Sequence, residues 1–161
     1  MWSKVAKRAR GDKMFRGRTD QTIDPKSRII LPVKFREILL KKYDNTLVLT
    51  NFDNCLIVYP TEEWIDFEDK IRKLPSGDRK VRTFKRFIIS GATECTVDKQ
   101  GRVLIPPSLK SYAQLERDIV IAGQINHFEI WNKERFYQSI QEGQDFEGSE
   151  EISDIINELE L

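Results

Sequence analysis

The feature that most constrains this chain is an internal repeat. Thr22-Ile23-Asp24-Pro25-Lys26-Ser27-Arg28-Ile29-Ile30-Leu31-Pro32 returns 74 residues later as Thr96-Val97-Asp98-Lys99-Gln100-Gly101-Arg102-Val103-Leu104-Ile105-Pro106. Threonine, aliphatic, aspartate, arginine, three aliphatics and proline keep their order, which marks one supersecondary unit used twice. The likeness continues beyond each proline. Phe35, Ile38 and Leu39 in the first copy and Leu109, Tyr112 and Ala113 in the second are spaced to share a helix face. Pro32 and Pro106 stand just ahead, where a missing amide donor costs little. Leu47-Val48-Leu49 and Ile119-Val120-Ile121 follow, then a turn. Cys55-Leu56-Ile57-Val58-Tyr59 and His127-Phe128-Glu129-Ile130-Trp131 come next, at an offset reduced to 72. Each copy ends in another helix, anchored by Trp64, Phe67, Ile71 and Leu74 in the first and by Phe136 and Ile140 in the second. The unit reads strand, Asp-x-x-x-Arg loop, strand, short helix, strand, turn, strand, helix.

Four short strands per copy would leave edges and an apolar face open. Mutual pairing of the copies solves this. The expectation is a mainly β fold with short helices, in which the repeats form a pseudo-twofold small β-barrel with helices on the outside. That symmetry places the two Asp-x-x-x-Arg loops side by side. Along the chain we expect a basic extension at residues 1–13, a first repeat at 14–75, a linking basic helix at 76–90, a second repeat at 91–143 and an acidic tail at 144–161. In the linker, Pro75-Ser76-Gly77-Asp78 reads as a turn and cap, and Val81, Phe84, Phe87 and Ile88 share a face. Residues 70–86 hold eight basic residues and one acidic one, a pattern open to phosphate binding, a solvated surface or an interface.

The loops carry the chemistry. Asp24 and Asp98 have short carboxylates suited to accepting backbone amides in an Asx-type turn. Gly101 tolerates a positive φ, and Ser27 takes that place in the first copy. A turn ordered in this way holds Arg28 or Arg102 in fixed geometry, and the planar guanidinium fork suits phosphate oxygens or a guanine edge. Two readings stay open. Either the aspartate–arginine pair only stiffens the loop, or the arginine also reaches outward.

Other classes are poorly supplied. The net charge of +1 hides an uneven layout: residues 1–18 carry seven Lys or Arg against Asp12, and residues 144–161 carry seven acidic residues and no basic one. No apolar run reaches membrane-spanning length, and no signal-type stretch follows the basic start. Cys55 and Cys95 lie in separate strands and read as reduced, buried thiols. His127, the single histidine, reads as a packing residue, and no metal-ligand set, phosphate loop or nucleophile elbow is present. Asp24 and Asp98 are poor paired acids, because an arginine four residues on favours their ionised form. No enzyme, cofactor, metal site or small-molecule substrate is expected.

Four segments together resemble the MraZ family of bacterial regulators over roughly residues 14–143. They are Met14-Phe15-Arg16-Gly17, the loop Asp24 to Arg28, Phe87-Ile88-Ile89-Ser90-Gly91-Ala92-Thr93-Glu94, and the run from Asp98 to Pro107. The resemblance implies two SpoVT/AbrB-like swapped-hairpin repeats. It implies a cytoplasmic, nucleoid-associated regulator of the division and cell-wall gene cluster, binding short direct repeats of double-stranded DNA in its own promoter region as a ring-like homo-oligomer. Arg28 and Arg102 match the family's DNA-contacting arginines, and Asp24 and Asp98 its motif aspartates. Arg16 and Arg18 match basic positions leading into the first strand. Lys26 and Lys99 lie inside the two loops at positions out of register, and Ser27 departs from the glycine common there. The alternative is an antitoxin-like or nucleoid-associated DNA-binding and protein-interaction module. Such antitoxins usually carry one copy and a toxin-binding tail, whereas two copies fill this chain. In the acidic tail, Ser149 can cap a helix whose Ile152, Ile155, Ile156 and Leu159 share a face, suited to a neighbouring subunit or another partner.

Overall fold

The computed structural model describes residues 14–143 and 149–159; the basic extension at 1–13 and residues 144–148 and 160–161 of the acidic tail lie outside the described residues. The elements run β1 (Arg18–Thr22), β2 (Arg28–Ile30), α1 (Val33–Lys42), β3 (Thr46–Phe52), β4 (Cys55–Pro60), α2 (Thr61–Arg72) and α3 (Arg79–Ser90). They continue with β5 (Thr93–Thr96), β6 (Arg102–Leu104), α4 (Pro107–Tyr112), β7 (Asp118–Gly123), β8 (Phe128–Asn132), α5 (Lys133–Glu142) and α6 (Glu150–Glu158).

Strand pairing crosses between the repeats. β1 of the first lies antiparallel to β7 of the second, β5 of the second to β3 of the first, and β4 to β8. The six-stranded order is β1-β7-β8-β4-β3-β5, and replacing each strand by its repeat counterpart reverses that order. The twofold relation therefore passes between β8 and β4. β2 and β6 pair separately as a two-stranded ribbon.

The expected mainly β small barrel of two swapped-hairpin repeats is not what forms. Helix takes up 43% of the structure and strand 29%, and the sheets are open. β1 and β5 are the two edges of the large sheet and do not meet. Their sequences explain this: Arg18-Thr19-Asp20-Gln21-Thr22 and Thr93-Glu94-Cys95-Thr96 are polar, exposed or half-buried strands. Polar, charged edges resist unwanted pairing without closure. The apolar faces are covered by helices instead of by curling the sheet.

Side-chain alternation divides the core into two layers. On one face Leu47, Leu49, Leu56, Val58, Ile119 and Ile121 pack with Phe35, Ile38 and Leu39 of α1, with Leu109 of α4 and with Ile29 and Val103 of the ribbon. On the other, Val48, Cys55, Ile57, Tyr59, Val120 and Trp131 pack with Trp64, Ile88 and Phe136 from α2, α3 and α5. Each fully buried Leu or Ile contributes about 1.5–3 kcal/mol relative to exposure, so these faces fix the ribbon firmly to the sheet. Phe15 extends the first layer with an edge contact to Phe35 at 5.1 Å and a tilted contact to Phe128 at 5.3 Å.

Several helix anchors behave differently from their spacing. Leu74 falls beyond the end of α2 and is exposed, and Ile140 on α5 is also exposed. α3 buries Ile88 alone, while Val81 and Phe84 are half-buried and Phe87 is 40% exposed. Asp78 caps α3 by accepting the Lys80 amide at 2.7 Å. Two of its basic side chains are tied back to the preceding turn: Arg82 donates to the Ser76 and Gly77 carbonyls, and Lys85 to the Leu74 carbonyl. Ser149 occupies the N-cap of α6 but makes no side-chain cap bond there.

Candidate nucleic-acid interface

The two repeated loops fold in nearly the same way. Asp24 Oδ1 accepts the amides of Lys26 at 2.9 Å and Arg28 at 2.8 Å, and its Oδ2 accepts Arg28 Nε at 2.7 Å. Asp98 Oδ1 accepts the amides of Gln100 at 2.9 Å and Arg102 at 2.8 Å, and its Oδ2 accepts Arg102 Nε at 2.8 Å. The main chain closes both turns by bonds from Ser27 N to the Asp24 carbonyl and from Gly101 N to the Asp98 carbonyl. Ser27 and Gly101 take the left-handed conformation these turns require, with φ of 62° and 77°. The amide of each motif arginine is the chief cause that holds its aspartate below the usual carboxylate range. Both carboxylates are therefore ionised at neutral pH.

The aspartate–arginine pair does not consume the arginine. Nε supplies one of five guanidinium N–H donors, and the side chains of Arg28 and Arg102 remain 29% and 26% exposed. The loops differ in one respect. Arg102 Nη2 donates to Gln100 Oε1 at 2.8 Å, whereas the equivalent position in the first loop is the exposed Lys26, which adds a second cation.

The ribbon brings the loops together. Arg28 faces Leu104, Ile29 faces Val103 and Ile30 faces Arg102. Alternation puts Ile29 and Val103 inward, where they are essentially inaccessible, and puts Arg28, Ile30, Arg102 and Leu104 on the other face. The loops are also stitched across the pair, since the amide of Leu31 donates to the Gly101 carbonyl at 2.9 Å and that of Ile105 to the Ser27 carbonyl at 2.8 Å.

The other sequence-selected residues separate into two groups. Lys26 and Lys99 are exposed in the loops. Arg16 and Arg18 are exposed at the far end of β1, and the extended chain from Arg18 to Asp24 spans roughly 20 Å. Arg18 lies over the rings of Phe136 and Tyr137 at 5.7 and 5.8 Å, so it packs on α5 away from the loops.

Four residues near the loops escaped the sequence reading. Ile30 and Leu104, 53% and 59% exposed, flank the arginines on the ribbon's open face; the alternation around Ile29 and Val103 carries that signal. Arg36 on α1 and Lys110 on α4 reach the loops, and their separation of 74 residues, the repeat offset itself, could have marked them.

His127 and the two cysteines pack rather than react. His127, just before β8, stacks on Tyr59 at 4.4 Å, and burial pushes its pKa down to about 4. Burial pushes the Cys55 and Cys95 thiols up; Cys55 is fully buried, but Cys95 is only half-buried, contrary to the expectation for both. Among the described residues no group of three His, Cys, Asp or Glu could hold a metal ion, and no helix is long and apolar enough to cross a membrane.

The family model described as "MraZ protein, putative antitoxin-like" matches residues 14–87 and again 88–155. A transcriptional regulator MraZ of Nitratidesulfovibrio vulgaris is 44% identical over 143 residues, covering 88% of this chain and 95% of the relative. The protein of the same name in Lachnoclostridium phytofermentans is 41% identical over 148 residues, covering 92% and 99%. That of Thermoanaerobacter sp. is 47% identical over 122 residues, covering 75% and 82%. The chain belongs to the MraZ transcriptional-regulator family, whose members are regulators rather than enzymes.

Proposed function

We propose that this chain is a sequence-specific DNA-binding regulator that engages short direct repeats in its own promoter region, within the division and cell-wall gene cluster, as a ring-like homo-oligomer. One observation carries the reading: Arg28 and Arg102 share the open face of a single two-stranded ribbon, each held by an aspartate through Nε. The major groove admits such a ribbon, and arginine there recognises guanine O6 and N7. Exposed Ile30 and Leu104 beside the arginines suit thymine methyl groups. Lys26 and Lys99 add phosphate contacts at the loop tips. Arg16 and Arg18, exposed at the far end of β1, supply a more distant phosphate contact. The repeats at 14–75 and 91–143 act as the paired reading units.

A lone protomer offers two loops, a small footprint. A ring presents further copies at regular spacing, which raises effective concentration on successive repeats. Exposed Val33 and Leu40 on α1, 60% and 69% accessible, favour self-association. Nucleoid association follows from the same DNA binding.

Selection of bound fragments from the source genome by the full chain tests this reading. Recovery of the DNA upstream of its own gene, with affinity rising steeply with repeat number and dependent on repeat phase, supports it. Fragments without a shared motif, or equal affinity for one repeat and three, overturn it.

A further inference from the structure

Each arginine loop is gripped by a cation from the opposite repeat. Arg36, on α1 of the first repeat, lies across Gly101 in the second loop: a Cβ at Gly101 would fall 2.6 Å from Arg36 Nη1 and 2.8 Å from Nε. Arg36 Nη1 points at the Gln100 carbonyl at 3.5 Å, a long contact, and Nε is buried without a hydrogen-bond partner. Lys110, the repeat counterpart of Arg36 on α4, donates from Nζ to Ser27 Oγ in the first loop at 3.1 Å. Ser27 is in turn the counterpart of Gly101.

The two crossed contacts are matched in chemistry. Where the left-handed loop residue lacks a side chain, the opposing helix supplies a long planar arginine that lies on the bare backbone. Where that residue is serine, the helix supplies a lysine whose ammonium meets the hydroxyl. Packing and a hydrogen bond thus fill the same place in two ways.

We propose that Arg36 and Lys110 are positioning residues that seat the opposite repeat's loop, so that Arg28 and Arg102 recognise DNA as a coupled pair. This rests on the proposed DNA-binding function. Neither residue need touch DNA: each sets the backbone of a turn whose amides hold the motif aspartate, and the aspartate aims the arginine.

The matching makes an exchange possible. Ser27 already occupies φ 62°, so a serine at position 101, where φ is 77°, takes on the left-handed strain that the first loop also carries and in addition displaces the Arg36 side chain from its seat. G101S in the full chain should therefore lower discrimination between the upstream duplex and a scrambled duplex of the same composition by about tenfold, within the coupling expected of contacting residues. Adding R36K recreates the lysine–serine arrangement of the first loop and should restore discrimination to within about threefold of wild type. Amide hydrogen exchange of the DNA-free protein provides the second readout. R36A should speed exchange across residues 98–102 and spare 24–28, and K110A should do the reverse.

Loosening of both loops equally, or of the loop in the same repeat, would overturn the proposal. Failure of R36K to rescue G101S would do so too, as would a crossed exchange pattern with discrimination unchanged in R36A. R28A and R102A serve as controls for the underlying reading. If both bind the upstream duplex like wild type, the DNA-binding assignment fails, while the exchange pattern still decides whether the crossed seats exist.

Discussion

Arg28 and Arg102 stand diagonally across one three-residue ladder, Arg28 opposite Leu104 and Arg102 opposite Ile30. Strand spacing and rise set their α-carbons roughly 8 Å apart. Because the ladder joins the two repeats, neither arginine can be displaced along its strand without disturbing the other loop.

The loop aspartates should govern specificity more than affinity. D24N or D98N keeps an acceptor for the turn amides but puts an NH2 donor where Oδ2 accepts arginine Nε, so that bond is lost, and it removes a negative charge from the proposed DNA face. Titrations at fixed salt should show discrimination falling by about tenfold while affinity for a scrambled duplex holds or tightens. Parallel weakening on both duplexes would assign these residues to folding alone.

Acid should weaken the fold through His127 before it disturbs the loops. Burial lowers the histidine to about 4 from an unfolded value of about 6.5, so the unfolded chain binds more protons in between. Its contribution is present above that window and is lost as pH falls through it. Glu129, whose carboxyl burial raises, acts in the opposite sense. H127F, which retains a ring to stack on Tyr59, should reduce the loss of the urea midpoint between pH 7 and pH 5. Asp24 and Asp98 are depressed, so their contribution is present above the ordinary carboxylate pKa and is lost only as pH falls further. An unchanged pH slope in H127F would refute the histidine assignment.

Gly123 allows the N-terminal segment to cross the sheet edge. A Cβ there would lie 2.5 Å from the Phe15 carbonyl carbon and 2.6 Å from the Arg16 amide nitrogen, both backbone atoms. The Gly123 amide also donates to the Gly17 carbonyl at 2.8 Å. G123A should cost about 1–3 kcal/mol, as overpacking does, measured by urea unfolding. A midpoint equal to wild type would show that residues 15–17 sit elsewhere.

Much of this was legible in the sequence, because the repeated motif fixes local chemistry. The offset of 74 identified both loops, and the aliphatic pairs Ile29 with Leu31 and Val103 with Ile105 are all buried. The overall architecture was harder. Counting short strands suggested closure, but Thr19, Asp20 and Gln21 protect an open edge, and Trp64, Ile88 and Phe136 cover the sheet from helices. Whether a polar strand is an edge or a half-buried partner depends on its neighbours, which local pattern does not contain. Arg36 and Lys110 were missed for a related reason: a helix cation usually faces solvent, and only cross-repeat pairing brings these two to the loops.

The basic residues Lys4, Lys7, Arg8, Arg10 and Lys13 should contribute a generic electrostatic attraction. Removal of residues 1–13 should weaken specific and scrambled duplexes by similar factors and reduce the salt dependence of both. Loss of discrimination on that truncation, with both loops intact, would place sequence reading in the extension.

The most direct measurement is the ratio of affinities for the upstream duplex and its scrambled counterpart, determined across salt concentrations for wild type, R28A and R102A, with helicity and oligomer size checked for each. Each single substitution should lower the ratio by about tenfold or more, the loss expected for one good arginine–guanine contact. The salt slope should change little. A ratio equal to wild type in both variants, at unchanged fold and assembly, would contradict the assignment of sequence reading to the shared arginine ribbon.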